Sequence, residues 1–481
     1  MDHFLNISPY RVFNQDPFAN LISVDNNQPV TLILYSKFSD NWLSMAQINK
    51  IIITKVIEQN PDIIPYVIDV TDKNFEKNYD LILKKCSSVI CMNLNKETGR
   101  FIKKLREAAS ISCKYIITNS LKSLGYQFKY FGLDAFDESD SFLCLCDSDE
   151  EILKTLFPKN TVNKLDILSL NMVKKEFKGT KNLVFFGRLN PEKGITEIIN
   201  SLQAYKLKYG SLPNYTINFF GEFDYTGKSN SQSNNYRETV LKLLEVQGYQ
   251  DQVRFHGFKD KNTIRKFCEK TSAIGIFLST YPNENYGIAL REFLSWNTAP
   301  AIISRWGAHQ DLINEYESTN RIIEIGVNFL DSKPVINPFD VADRLHKLTG
   351  VKSITLAKVD SKERIFALIN GPKKRAPIDK SILLKQITRS EQSIAEEFNK
   401  IYAKHAKILK IESVKLYLSP LISIKESVLS LNNKPLLETD SEELDQPKSI
   451  AVYSFLNNKK VEISRKQIDF LIEENLLFLG S

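Results

Sequence analysis

A chain of 481 residues is too long for one ordinary hydrophobic core, so two domains and an appendage are expected. With 42% hydrophobic and 25% charged residues the composition is that of a globular protein. A formal charge of +7 over this length suits phosphate-bearing ligands or an anionic membrane surface and carries no nucleic-acid signature.

No apolar run reaches the roughly 20 residues that span a bilayer, and Met1-Asp2-His3-Phe4 lacks the basic region and apolar core of a secretory signal. Cys86, Cys91, Cys113, Cys144, Cys146 and Cys268 sit mostly in apolar, strand-like runs, as small buried hydrophobes do in a reducing compartment. Cys144-x-Cys146 has no second pair and the histidines are scattered, so no metal site is expected. The expected location is cytoplasmic, at most peripheral at the inner face of a membrane.

After an irregular start, Val30-Thr31-Leu32-Ile33-Leu34-Tyr35 reads as a buried strand. A helix over about Asp40–Gln59 follows, then strands at Ile63–Val70, Ser88–Met92, Tyr115–Thr118 and Phe142–Cys146, with helices at Arg100–Ala109 and Asp147–Leu156. Alternating apolar strands and amphipathic helices imply a parallel sheet covered on both faces, here a first α/β domain ending near Leu170. Lys174–Gly179 reads as a linker.

The pattern then restarts. Strands are predicted at Asn182–Gly187, Tyr215–Gly221, Val253–Phe255, Ala273–Leu278, Pro300–Ser304 and Arg321–Ile325. Helices are predicted at Gly194–Leu207, Tyr236–Gln247 and Asn262–Lys270, with a polar loop at Thr226–Asn235. Further on, Ser390–Ile411 is polar and helical, Leu436–Pro447 is an acidic linker, and Ser449–Ser481 reads as strand, turn and helix. The expected domains are 1–170, 171–375 and 376–481, the last a helical extension partly packing back on the first domain.

Three local sites fall in the second half. Gly187-Arg188-Leu189-Asn190-Pro191-Glu192-Lys193-Gly194 joins a strand end to a helix start, the position where open α/β sheets bind ligands. A guanidinium and an ammonium there can neutralise a departing diphosphate, although a solvated basic loop has the same composition. Phe255-His256-Gly257-Phe258 follows the short strand, and His256 by itself reads better as a packed or surface histidine than as a catalyst. Glu284-Asn285-Tyr286-Gly287-Ile288-Ala289-Leu290-Arg291-Glu292 sets one carboxylate on a loop and a second one turn inside a helix, with free amides between them.

Taken in order, these motifs resemble the nucleotide-sugar-binding half of the retaining glycosyltransferases of family four, over about residues 180–330. The resemblance implies a GT-B fold, in which two Rossmann-like domains face across a cleft. It also implies transfer of a sugar from a nucleoside-diphosphate sugar to an acceptor hydroxyl, with configuration retained and no divalent metal. Arg188 and Lys193 would bind the diphosphate, and Gly257 and Phe258 would lie along the nucleobase. Glu284 would hold sugar hydroxyls and Glu292 the ribose, while the amides around Asn285, Tyr286, Gly287, Ile288 and Ala289 would meet phosphate and sugar oxygens. Glu284, Arg188 and Lys193 are the expected catalytic residues, and the nucleotide sugar is a co-substrate, so no cofactor is expected. The acceptor would be a sugar, a lipid-linked molecule or a protein, and the extension offers a place for a protein partner.

Two departures stand out. The family pattern has small residues where Arg305 and Trp306 stand, which would reshape the sugar pocket. The first half lacks the glycine-rich turn after its first strand and the histidine after a middle strand, where Asn119 and Ser120 come nearest. A catalytically silent partner subunit and a nucleotide-sugar epimerase are the alternatives.

Overall fold

The computed structural model describes residues 30–480 except 36–42, 119–130, 224–235, 361–377, 436–449 and shorter stretches of one to three residues. The chain divides into two compact units, Met1–Ser169 with Ser361–Tyr402, and Leu170–Asp360 with Ala403–Ser481. Both are α/β.

In the first unit, strands β1 (Val30–Tyr35), β2 (Ile64–Asp69), β3 (Cys86–Cys91), β4 (Cys113–Ile116), β5 (Ser141–Cys144) and β6 (Thr161–Lys164) form one parallel sheet in the order β2-β1-β3-β4-β5-β6. Every residue of β1 is buried, as a strand covered on both faces must be. The covering helices include α1 (Leu43–Gln59), α2 (Tyr79–Lys85), α3 (Lys96–Ala108) and α4 (Asp147–Leu156). Asp147, Asp149 and Glu150 occupy the first turn of α4, where the helix dipole favours negative charge. The Tyr402 hydroxyl donates to Asp149, tying the helix Glu391–Tyr402 to α4.

A buried ion pair locks the far side of this sheet. Nη2 of Arg106 on α3 donates to both oxygens of Asp140, at 2.5 and 2.6 Å, and the same carboxylate accepts the backbone N–H groups of Cys113 and Asp137. Burial pushes the Asp140 carboxyl up to about 6 although Arg106 opposes the shift.

The second unit carries β7 (Asn182–Phe186), β8 (Thr216–Phe220), β9 (Val253–Phe255), β10 (Ile274–Phe277), β11 (Ala301–Ser304) and β12 (Ile322–Ile325). All pairs are parallel and the order is β9-β8-β7-β10-β11-β12. Helices α5 (Ile195–Tyr209), α6 (Tyr236–Gln247), α7 (Lys261–Thr271), α8 (Ile288–Ser295), α9 (Ala308–Tyr316) and α10 (Pro338–Thr349) complete the layers. This is the doubly wound order in which the winding reverses between the first and fourth strands. The crevice beyond the carboxyl ends of β7 and β10 is therefore the place where such a sheet receives a ligand.

The structure departs from expectation in the connections. Lys174–Gly179 is no plain linker: Phe177 is buried, and Lys175–Phe177 pairs antiparallel with Ile354–Leu356. The helix expected over Ser390–Ile411 stops at Tyr402, and Ile408–Leu409 pairs with Phe329–Leu330. Beyond it the described residues hold more strand than helix. β13 (Leu416–Leu418), β14 (Ile450–Ser454), β15 (Lys460–Ile463) and β16 (Leu477–Leu479) form a sheet in the order β15-β14-β13-β16, joined by helix α11 (Arg465–Glu473). This sheet belongs to the second unit. Phe339 of α10 packs on Tyr417 and Phe455 at ring distances of 5.5 and 6.0 Å, and Gln203 of α5 donates to the Phe455 carbonyl at 3.0 Å. Thr226–Asn235, Leu436–Pro447, Asn119 and Ser120 lie outside the described residues.

Among the described residues, no helix is long and apolar enough to cross a membrane, and no group of His, Cys, Asp and Glu could hold a metal ion.

Candidate nucleotide-sugar site

Glycine lets the loops at the carboxyl edge of the second sheet approach one another. Gly187 and Gly221 leave β7 and β8 at φ of 142° and 145°, and a Cβ on Gly221 would lie 1.8 Å from the Gly187 carbonyl oxygen. The Leu189 N–H donates to the Glu222 carbonyl at 2.9 Å, so the two loops travel together. After Arg188 the chain makes a tight turn over Pro191–Lys193 and enters α5 at Gly194, whose φ is 69°. A Cβ there would sit 2.1 Å from the carbonyl oxygen of Leu278, just past the end of β10. That close approach places Lys193 beside the loop that leaves β10.

The second loop is tied to the first and to β11. The Thr280 N–H donates to the Glu192 carbonyl at 2.9 Å, and the Ser304 hydroxyl donates to the Ser279 carbonyl at 2.6 Å. The indole N–H of Trp306 donates to the Tyr281 carbonyl at 2.8 Å, and the Ala308 N–H, at the start of α9, donates to the Glu284 carbonyl at 2.7 Å. Gly287, at φ 64°, turns the chain into α8, and the ring of His309 packs so closely beneath it that a Cβ would meet Cδ2 at 3.1 Å.

These constraints bring Lys193 and Glu284 together across the switch point, Nζ to Oε2 at 2.5 Å, with side chains only 18% and 12% exposed. Burial alone would raise the Glu284 carboxyl. Lys193, His309 and the Ser279 hydroxyl overcome it and bring the carboxyl down to about 2. For His309 burial is also the largest influence; it pushes the imidazole down to about 4 against the pull of Glu284, so the ring is neutral at pH 7. Nζ of Lys193 lies 4.6 Å from the centre of the Tyr281 ring, and Cζ of Arg188 lies 5.7 Å from it.

Glu292, one turn into α8, accepts from Lys261 at 2.9 Å. Asn285 and Tyr286 are buried, Ile288 and Ala289 half-buried, and Arg291 stacks over the Tyr286 ring at 4.3 Å. Gly257 takes φ 64°; Phe258 is 60% exposed, and its N–H donates to the Glu222 carboxylate at 2.9 Å. His256 is packed: its ring stacks on Phe220 at 4.3 Å and Nε2 meets Asn218 Oδ1 at 3.0 Å. The site's sequence-predicted residues thus all lie on loops and helix starts at one edge of one sheet.

The bulky pair after β11 is held by contacts of its own. Trp306 is fully buried, and Arg305 grips Glu324 at 2.5 and 2.7 Å. Tyr281, His309, Lys261 and Glu222 were not singled out by the sequence. Tyr281 had one usable signal, its place between the end of β10 and Glu284.

Residues 170–328, about a third of the chain, match the family described as Glycosyl transferases group 1. No curated protein matches. Among solved structures, the chain is similar to HepE of Anabaena in complex with UDP-glucose, at 11% identity over 78% of this chain and 95% of that one, with a TM-score of 0.42. It is similar to the lipopolysaccharide outer core galactosyltransferase WaaB at 10% identity, with the same coverages and a TM-score of 0.43. A TarM variant of S. aureus, in complex with fondaparinux, alpha-GlcNAc-glycerol and UDP, is 14% identical over 68% of this chain, with a TM-score of 0.37. The matched region spans 56% of that protein's length.

Proposed function

We propose that the chain is a retaining glycosyltransferase of GT-B arrangement that moves a sugar from a nucleoside-diphosphate sugar to an acceptor hydroxyl without a divalent metal. The observation that carries this reading is the Lys193–Glu284 pair at the switch point of the second sheet, inside the segment that matches the glycosyltransferase family. In the proposed reaction charge builds on the departing diphosphate, so cations fixed beside it stabilise the transition state more than the ground state. Arg188 and Lys193 supply that charge. When Lys193 turns to phosphate, sugar hydroxyls take its place on the Glu284 carboxylate and supply the hydrogen bonds that a buried carboxylate needs. Glu292 binds the ribose, Phe258 and Gly257 border the base, and the amides from Asn285 to Ala289 meet sugar and phosphate oxygens. The first unit serves the acceptor, and the protein works in the cytoplasm.

The test is thermal-shift screening with UDP-, GDP- and ADP-sugars, followed by turnover of the donor that stabilises, because bound ligand raises stability with affinity and concentration. Proton NMR of the product reads the anomeric configuration, and turnover in EDTA reads metal dependence. Glu284→Ala and Arg188→Ala are each expected to lower turnover by about a hundredfold, the usual loss for one transition-state contact. The absence of both stabilisation and donor hydrolysis overturns the reading. A second reading, a silent subunit of another glycosyltransferase, draws on the lack of any histidine between His3 and His256. It predicts co-purification with a second protein and no turnover without it.

A further inference from the structure

We infer that Tyr281 is a positioning residue that holds Arg188 and Lys193 ready for the diphosphate, and that buried Trp306 fixes Tyr281 for this purpose. The inference rests on the donor-binding reading above.

Both cations approach one aromatic ring, at 4.6 and 5.7 Å from its centre, within the range where a ring face attracts positive charge. Lysine and arginine each carry large rotamer freedom, and a ligand that must freeze both pays for it in affinity. A ring that gathers them beforehand removes part of that cost. It also acts differently from Glu284. The carboxylate consumes N–H donors of Lys193, whereas a π face attracts the charge and leaves those donors available to phosphate oxygens. The contact with Tyr281 therefore persists when a diphosphate takes the place of Glu284.

The ring can do this only if its backbone stays put. The Tyr281 N–H donates to the Ser279 hydroxyl at 3.1 Å, and the Tyr281 carbonyl accepts from the indole N–H of Trp306 at 2.8 Å. Trp306 is itself fully buried and packs on Phe329 at a ring distance of 6.4 Å. A side chain that the sequence marks only as bulk beside the sugar pocket thus acts as the anchor of the phosphate-binding cations.

The experiment places phenylalanine and then its trifluoro and pentafluoro derivatives at position 281, and titrates each protein with UDP, GDP and ADP by calorimetry. Fluorination keeps the ring's shape and drains charge from its face, so a merely structural ring would give a flat series. Tyr281→Phe is expected to bind within about twofold of wild type, and affinity to fall stepwise to about a tenfold loss at the pentafluoro ring. Trp306→Phe, which keeps a buried ring but lacks the N–H donor, is expected to weaken binding about fivefold, a loss of the size of one hydrogen bond. A flat or rising fluorine series overturns the role of Tyr281, and unchanged binding by Trp306→Phe overturns that of Trp306. If wild type binds none of the three diphosphates, the donor-binding reading itself has failed, and the two failures are told apart.

Discussion

The Glu284 carboxyl makes the stability of the second unit depend on acid in a calculable way. Its value is brought from the ordinary 4.5 to about 2, which corresponds to about 3 kcal/mol in favour of the ionised folded form. A folded-state value below the unfolded one gives a contribution fully present above about pH 4.5 and lost as pH falls through about 2. At pH 3 roughly 1.5 kcal/mol of it remains. Glu284→Gln keeps the shape and removes the titration. The gap in unfolding free energy between wild type and Glu284→Gln is therefore expected to shrink by about 2 kcal/mol between pH 7 and pH 3. Urea unfolding at the two pH values, followed by tryptophan fluorescence, measures it. All three tryptophans (Trp42, Trp296 and Trp306) are in the sequence, and the latter two are buried in the second unit. A chain of two units can unfold in more than one step, so the relevant midpoint is the one that Glu284→Gln moves. A gap that is constant or widens on acidification refutes the pairing as the source of the shift.

Three other perturbations follow from particular contacts. Gly194→Ala forces a Cβ to 2.1 Å from the Leu278 carbonyl oxygen at φ 69°, and is expected to destabilise the second unit by more than about 2 kcal/mol in the same urea assay. Arg106→Met leaves Asp140 buried without its cation, and a loss of about 3 kcal/mol is expected in the first unit's transition, with Arg106→Lys unable to restore a guanidinium's geometry. Phe258→Ala should leave the melting temperature unchanged, since the ring is 60% exposed, yet weaken nucleotide binding by about tenfold through lost base stacking, read by calorimetry.

The sheets were legible because their strands are short apolar runs set between polar turns. Val253-Arg254-Phe255 was placed correctly although it has only three residues, because a helix pattern followed directly. The tail was harder. Leu416-Tyr417-Leu418 is just as short, but its partners lie at 450–454 and 477–479, and no local period reveals pairing over such distances. At the site, the sequence brought Arg188, Lys193, Glu284 and Glu292 to notice by type and order. It could not show that Lys193 and Glu284 form one pair while Glu292 answers to Lys261, because that depends on how two loops cross. Arg305 was read as bulk near a sugar, and the bidentate grip of Glu324 turns out to define its surroundings.

The tail sheet also bears on how the protein comes to be made. The chain leaves the second unit at Asp360, contributes residues 361–402 to the first, and returns at Ala403. β16, at 477–479, pairs with β13, and β13 carries the Tyr417 ring that packs on Phe339 of α10. During vectorial synthesis the first unit's sheet is in hand once residue 164 has emerged and the second unit's six-stranded sheet once residue 325 has, whereas the tail sheet closes only with β16 at 477–479. Until Tyr417 and Phe455 emerge, Phe339 lacks the rings that pack on it, although α5, against which the rest of α10 lies, has already been made. Contacts of such sequence separation fold slowly, so this interval is when nascent chains are most open to aggregation and to chaperone capture.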